Sequence, residues 1–204
     1  MTKIATIEAL RALYGSPSVR AAQKQLPRLD AHAKAFLGRS PFMLIGSSSP
    51  GKLPDVSPKG GEPGFAAIID DTHIAIPDRP GNKRLDTYEN LLANPIVGLL
   101  FLLPGMDETL RVNGTAEIRT DDELLDRCAY EGKRPISVLL VEAKEVYFHC
   151  AKAFMRSGLW DADKQIDRAT MPTLGAMLKD QIGLSGEIQD IDREMVERYK
   201  VTMY

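Results

Sequence analysis

The spacing of hydrophobic positions changes along the chain, and each spacing predicts a different kind of element. Over the first forty residues Ile4, Ile7, Leu10, Leu13 and Tyr14 recur at steps of three and four, the period of an amphipathic helix that Gly15-Ser16-Pro17 ends. A second short helix is predicted from about Pro17 to Gln25. A third runs from Leu29 to Leu37, closed by Gly38 with Pro41 behind it. From Pro41 the texture changes. FMLIGS is apolar and bounded by the turn-rich SSPGKLPD, DVSPKGGEPG reads as irregular, and FAAII and HIAI are short apolar runs on either side of an Asp70-Asp71 turn. PDRPGN breaks the chain again. LDTYENLLAN then predicts a short helix with Leu85, Tyr88, Leu91 and Leu92 on one side, ended by Asn94-Pro95.

Longer strands follow. IVGLLFLL reads as a fully buried strand. TLRVNGTAEIR alternates, with Leu110, Val112, Gly114, Ala116 and Ile118 on one face and Arg111, Asn113, Thr115, Glu117 and Arg119 on the other. DDELLDRCAYEG is an acid-started helix, and SVLLVEAKEVYFHC is a long strand in two registers with a bulge near Glu142–Lys144. Six or more antiparallel strands with small helices between them predict a mainly β, α+β fold. A sheet of this kind avoids exposed edges best by closing, so a closed or nearly closed β-barrel is expected. The expected organisation is an N-terminal helical segment over 1–39 packed on the barrel, a barrel over 40–150, and a C-terminal helical segment over 151–204 completing the site or a dimer.

Composition narrows the function classes. Lys plus Arg number 26 and Asp plus Glu 28, a net charge of −2, which argues against a nucleic-acid surface but not against a local anion site. The apolar run at 96–103 is far below the about 20 residues of a membrane-spanning helix. Glu8 and Arg11 interrupt any leader-like stretch. Cys128 and Cys150 are isolated, so a reduced, cytoplasmic location is expected. His32, His73 and His149 lack paired metal-ligand spacing, and no metal site is expected. There is no Gly-x-Ser-x-Gly elbow, Walker motif or Gly-x-Gly-x-x-Gly.

Three polar clusters carry candidate chemistry. Arg79, Lys83 and Arg84 stand within six positions beside Asn82, just before the helix opening at Leu85. A helix N-terminus presents unpaired N–H groups, so the cluster fits an oxyanion or phosphate cradle; it fits a solvated basic turn offset by Asp86 and Glu89 equally well. In DVSPKGG, Ser57 and Lys59 sit beside Gly60-Gly61, which allows close backbone approach to a ligand or simply makes a turn. In KAFMRSGLW, Lys152, Arg156 and Trp160 recur at steps of four, so a helix would align them, although a single tryptophan also serves packing.

Taken in order, the segments PFMLIGSSSPGKLPDVSPKGGEPGF, IAIPDRPGNKRLDTYENLLANPIVGLLFLLPGMDETLRVNGTAEI and YFHCAKAFMRSGLWD resemble the pyridoxamine 5′-phosphate oxidase-like, FMN-binding split-barrel family over residues 40–160. The most specific pieces are PDRPGNKRLD, the following NP-x-V-G-L-L-F, and ETLRVNGTAEI. The resemblance implies a split β-barrel, FMN as cofactor, a homodimer, and hydride or electron transfer between a donor such as NAD(P)H and a small-molecule substrate. It implies that Ser57 and Lys59 contact the flavin and its phosphate tail. It also implies that Arg79, Asn82, Lys83 and Arg84 hold the phosphate, and that Thr109 and Arg111 reach FMN from the next part of the barrel. Lys152, Arg156 and Trp160 fall in the segment that lies near the flavin in the family's dimer. No catalytic residue is implied. The turn reads Asn-Lys-Arg where the oxidase has Ser-Arg-Lys, and the Arg-Leu-x-x-Arg pattern that serves the oxidase's pyridoxal substrate is absent, so activity on pyridoxamine phosphate is not expected. The alternatives are a flavin-binding or flavin-sensing protein without turnover, and a haem-binding split barrel with His32, His73 or His149 as axial ligand.

Overall fold

The computed structural model describes residues 3–203. Three helices, α1 (Ile7–Tyr14), α2 (Val19–Gln23) and α3 (Ala31–Leu37), precede the sheet. Thr6, Ser18 and Asp30 cap them, each side-chain oxygen accepting from an N–H three residues on. α1 and α2 bury no residue, whereas α3 presses Ala33, Phe36 and Leu37 into the core. The strands are β1 (Phe42–Ser47), β2 (Asp55–Gly60), β3 (Ala67–Ile68), β4 (His73–Pro77), β5 (Ile96–Leu102), β6 (Thr109–Arg119) and β7 (Val138–His149). Helix α4 (Asp86–Ala93) joins β4 to β5, and α5 (Asp122–Arg127) joins β6 to β7. Helices α6 (Lys152–Ser157), α7 (Leu174–Ile182) and α8 (Ile188–Thr202) follow.

Every neighbouring pair is antiparallel, in the order β2-β1-β5-β6-β7-β4-β3. β2 and β3 end this order and do not pair with each other, so the sheet is a barrel left open along one seam, as a split barrel requires. Met43, Ile45, Val97, Leu99, Phe101, Leu110 and Val112 fill its interior from three adjacent strands.

Several expectations change. DVSPKG is a strand, not an irregular stretch; Pro58 is tolerated because β2 is an edge, where a missing N–H breaks no ladder. β5 is not buried on both faces: Val97, Leu99 and Phe101 face the core while Ile96 is 62% exposed. On α4 the buried side is Thr87, Tyr88, Asn90 and Leu91, and Leu85 and Leu92 point outward. Asn90 is admitted to the interior because its Nδ2 donates to Asp55 Oδ2 (2.7 Å) and Ser47 Oγ (3.2 Å).

The bulge near Glu142–Lys144 is present. Asn113 pairs with Glu145 and Gly114 with Ala143, leaving Lys144 as the extra residue. Its consequence is a change of parity. Leu139, Val141 and Ala143 face the core before it, and Val146 after it, so Glu145, Tyr147 and His149 are turned to the outer face. Gly114 sits opposite this irregularity, where a Cβ would lie 1.9 Å from the Glu142 carbonyl oxygen. We predict that Gly114→Ala loses about 3 kcal/mol in urea unfolding, because backbone and not a flexible side chain must give way. A loss below about 0.5 kcal/mol, the range of an ordinary surface change, would contradict this.

Candidate functional site

A cleft of about 960 Å³ opens between edge strand β2, the end of β4 and the start of α4. Ser57 to Gly60 of β2 line it, and the alternation of the strand half-buries Ser57 and Lys59 while Val56, Pro58 and Gly60 are the more exposed positions. The chain after Pro77 supplies Asp78, Arg79 and the 80–85 turn, and α4 adds Asp86, Thr87 and Tyr88. Six predicted residues, Ser57, Lys59, Arg79, Asn82, Lys83 and Arg84, therefore line one cavity although the sequence separates them into two clusters.

The turn holds an unusual backbone. Lys83 (φ 60°) and Leu85 (φ 59°) both occupy the left-handed region, where a side chain costs roughly 1–2 kcal/mol each. Asn82 Oδ1 accepts the Arg84 N–H at 3.0 Å and braces the turn. Leu85 is also the N-cap of α4 and offers no side-chain oxygen, so no side chain caps the first N–H groups of that helix. Such a terminus carries partial positive charge and suits an oxyanion.

The cations differ in how far they are committed. Arg79 donates to both Glu62 carboxylate oxygens (2.9 and 3.2 Å) and lies 5.3 Å from the Tyr130 ring centre, so much of its charge is already matched. Arg84 is exposed and donates through Nε to Asp86 (2.7 Å), and this guanidinium holds the Asp86 carboxyl below its usual range. Lys59, only 23% exposed, stands 3.9 Å from Asp78 and 5.5 Å from the Tyr88 ring centre. Lys83 forms no ion pair among the described residues. Thr87 Oγ1 and Ser57 Oγ are 3.4 Å apart, linking the two sides of the cleft.

Asp78, Thr87, Tyr88 and Ser137 belong to the site and were not singled out from the sequence. Asp78 adjoins the basic motif, and that adjacency was the one available signal. Tyr88 looked like part of an apolar helix face, and only the fold turns it into the cleft. Burial, and secondarily the Asp78 charge, push its phenol well above the usual range.

The remaining predicted residues stand elsewhere. Thr109 is buried at the start of β6, and Arg111 lies on the outer face of the sheet, its Nη1 donating to Tyr147 Oη at 2.9 Å. Lys152 and Arg156 are exposed on α6. That helix stops at Ser157 with Gly158 in the left-handed conformation, so Trp160 is not aligned with them; its Nε1 donates to the Met106 carbonyl (3.0 Å) and its ring stacks on Phe154. None of the five lines the cleft of its own chain.

Residues 29–150 match the family model for pyridoxamine 5′-phosphate oxidase. The chain belongs to that family. No curated protein matches it. Similar solved structures include HupZ of Group A Streptococcus, 16% identical, with a TM-score of 0.48 over 59% of this chain and 93% of that one. A protein of Clostridium acetobutylicum related to general stress protein 26, of the pyridoxinephosphate oxidase family, is 15% identical, with a TM-score of 0.43 over 58% and 85%. A FAD-binding protein of Mesorhizobium loti is 16% identical, with a TM-score of 0.40 over 60% and 97%.

The surroundings of Tyr88 generate a spectroscopic expectation. Its phenol stays protonated where an ordinary one ionises, about pH 10, so Tyr88→Phe should remove none of the phenolate absorbance that the folded protein gains around that pH. Because the folded value is the higher one, the associated stability is fully present below the unfolded phenol's value and is lost as pH rises from there toward the folded one. A drop of one phenol's amplitude in the variant at about pH 10 would contradict the assignment.

Proposed function

We propose that this member of the pyridoxamine 5′-phosphate oxidase family is an FMN-dependent oxidoreductase that works as a homodimer, with the flavin phosphate in the cleft between β2 and α4. The observation that carries the reading is the convergence of a mostly buried lysine, a strained basic turn and a helix N-terminus without a side-chain cap on one cavity. A terminal phosphate carries close to two negative charges and needs several donors. Lys59 and Lys83 would supply charge, Arg84 a planar fork, Ser57 and Asn82 neutral polar groups, and α4 its backbone N–H groups. The cavity is wider than a phosphate needs, and Phe65, Pro77 and Tyr88 give it apolar wall for a flat ring system.

When bound, FMN supplies the electron- and hydride-accepting ring, and the protein sets its position and access. Lys59 would meet the phosphate, with the Asp78 carboxylate 3.9 Å away holding its side chain in place. Arg79 acts through Glu62, holding the wall of the cleft. Tyr88 stays neutral, so its face remains an apolar surface beside the site.

The homodimer is supported by the outer face of the sheet. Phe42 is opposite Leu102 and Leu44 opposite Leu100, and Val56 and Ile96 flank them at 69% and 62% exposure. A contiguous apolar face of this kind marks an interaction surface, and an isologous dimer covers it with a second copy of itself.

The protein as purified, or after loading with FMN, should be yellow, bleach with NADH or NADPH and reoxidise with an acceptor. Lys59→Ala should weaken FMN binding by about 1–3 kcal/mol, and Arg84→Ala by less, since Arg84 is exposed and already paired. Flavin fluorescence quenching reads both. Flavin that binds but is reduced no faster than free FMN would favour a binding or sensing role. A protein that takes up no FMN would overturn the reading.

A further inference from the structure

The outer face of the sheet carries a second electropositive group of residues, none of which lines the cleft, drawn from three parts of the chain. Arg111 and Tyr147 are directly opposite across the β6–β7 ladder, and His149 is two residues further along β7. The backbone of Leu26 exchanges both hydrogen bonds with Val146 (2.9 and 2.8 Å), which brings Lys24 over the same face.

The Tyr147 ring is the centre of the group. The Arg111 guanidinium lies 5.5 Å from its centroid and the Lys24 ammonium 5.2 Å, and the His149 ring centre is 5.1 Å away. Arg111 Nη1 donates to Tyr147 Oη, and Lys24 Nζ donates to the Phe148 carbonyl at 2.6 Å. Two cations thus share one aromatic ring, yet neither forms an ion pair among the described residues. Glu145, the nearest acid on the same strand face, is held by Asn113 Nδ2 at 2.8 Å. Nε2 of His149 is buried with no hydrogen-bond partner. Burial first, then Arg111 and Lys24, lower the pKa of that imidazole, in keeping with its lying in the field of both cations.

An oxyanion pairs with both cations that lack a carboxylate partner and, in the Nε2–H tautomer of the imidazole, accepts from the unpartnered nitrogen as well. We propose that Lys24, Arg111 and His149, arranged around Tyr147, form a subsite for the oxyanionic group, carboxylate or phosphate, of a small-molecule substrate. The inference rests on the oxidoreductase reading only in calling the ligand a substrate; the subsite stands on its own geometry. It moves Arg111 from the flavin role that the family resemblance implies to a role in substrate recognition. It also gives the β7 bulge a purpose, because strict alternation through Lys144, with no bulge, would turn Tyr147 and His149 to the core.

The test uses the protein both as purified and with FMN added, at constant ionic strength, titrated separately with sodium acetate and with inorganic phosphate. NMR signals of the Arg111 Nε–H and the His149 ring report binding. At least one anion should shift both signals saturably, and which one does so distinguishes carboxylate from phosphate recognition. Arg111→Met should weaken that binding by about ten- to a hundred-fold, and the solvent-exposed Lys24→Met, which does not threaten folding, by about three- to ten-fold. Shifts that rise linearly without saturation, or that survive unchanged in both variants, would overturn the subsite. So would an Arg111→Met protein that binds the anion normally but loses its oligomeric state, since the cation would then serve an interface. FMN affinity measured on unsubstituted protein reports the cleft separately, and its failure would count against the flavin reading while leaving this one standing.

Discussion

A single absent Cβ governs the arrangement of the sheet. At Gly114 the backbone of β6 meets the Glu142 carbonyl at a distance that no side-chain-bearing residue could share. That contact is what lets β7 carry an extra residue at Lys144 and reverse which of its positions face inward. β6 and β7 are the two longest strands, and they join the β5-β1-β2 side of the sheet to the β4-β3 side. Before the bulge β7 packs Leu139, Val141 and Ala143 inside; after it, Val146 takes over and Tyr147 and His149 are turned outward. The share of the core that β7 supplies and the outer polar group both follow from this register.

At the open seam the chain gathers positive charge that the whole-molecule total conceals. The net charge is −2, but the cleft brings Lys59, Lys83 and Arg84 beside a helix terminus with no side-chain cap. Partial neutralisation keeps this stable without a ligand: Asp78 stands by Lys59, Asp86 takes Arg84, and Glu62 takes Arg79. Two left-handed residues in seven positions remain as conformational cost, which is the usual mark of a segment shaped for a ligand.

Much of this was legible in the sequence, and the failures have physical causes. The alternation of Leu110, Val112, Gly114 and Ala116 and the two registers of β7 predicted the central ladder, bulge included, because period-2 patterns are strict where one face is buried. β2 was missed because Pro58 and Gly60 are turn residues in isolation and become acceptable only at an edge. β5 was overburied in prediction because an unbroken apolar run does not reveal which of its faces the fold leaves uncovered. The basic turn and Lys59 were found as separate clusters, and only the curl of the sheet unites them. Trp160 was placed on a helix that Gly158 terminates. Lys24, Tyr147 and His149 carried no signal as a group, since their juxtaposition requires the bulge and the Leu26–Val146 bridge together.

The central claim is that the cleft reads a phosphate. The most direct test is to titrate the ligand-free protein with FMN and with riboflavin, which share the ring system and differ in that group, and to repeat both with Lys59→Ala. A phosphate site predicts that FMN binds about a hundred-fold or more tightly than riboflavin, and that Lys59→Ala narrows the gap by weakening FMN alone. Equal affinities for the two ligands, or equal losses in the variant, would contradict it.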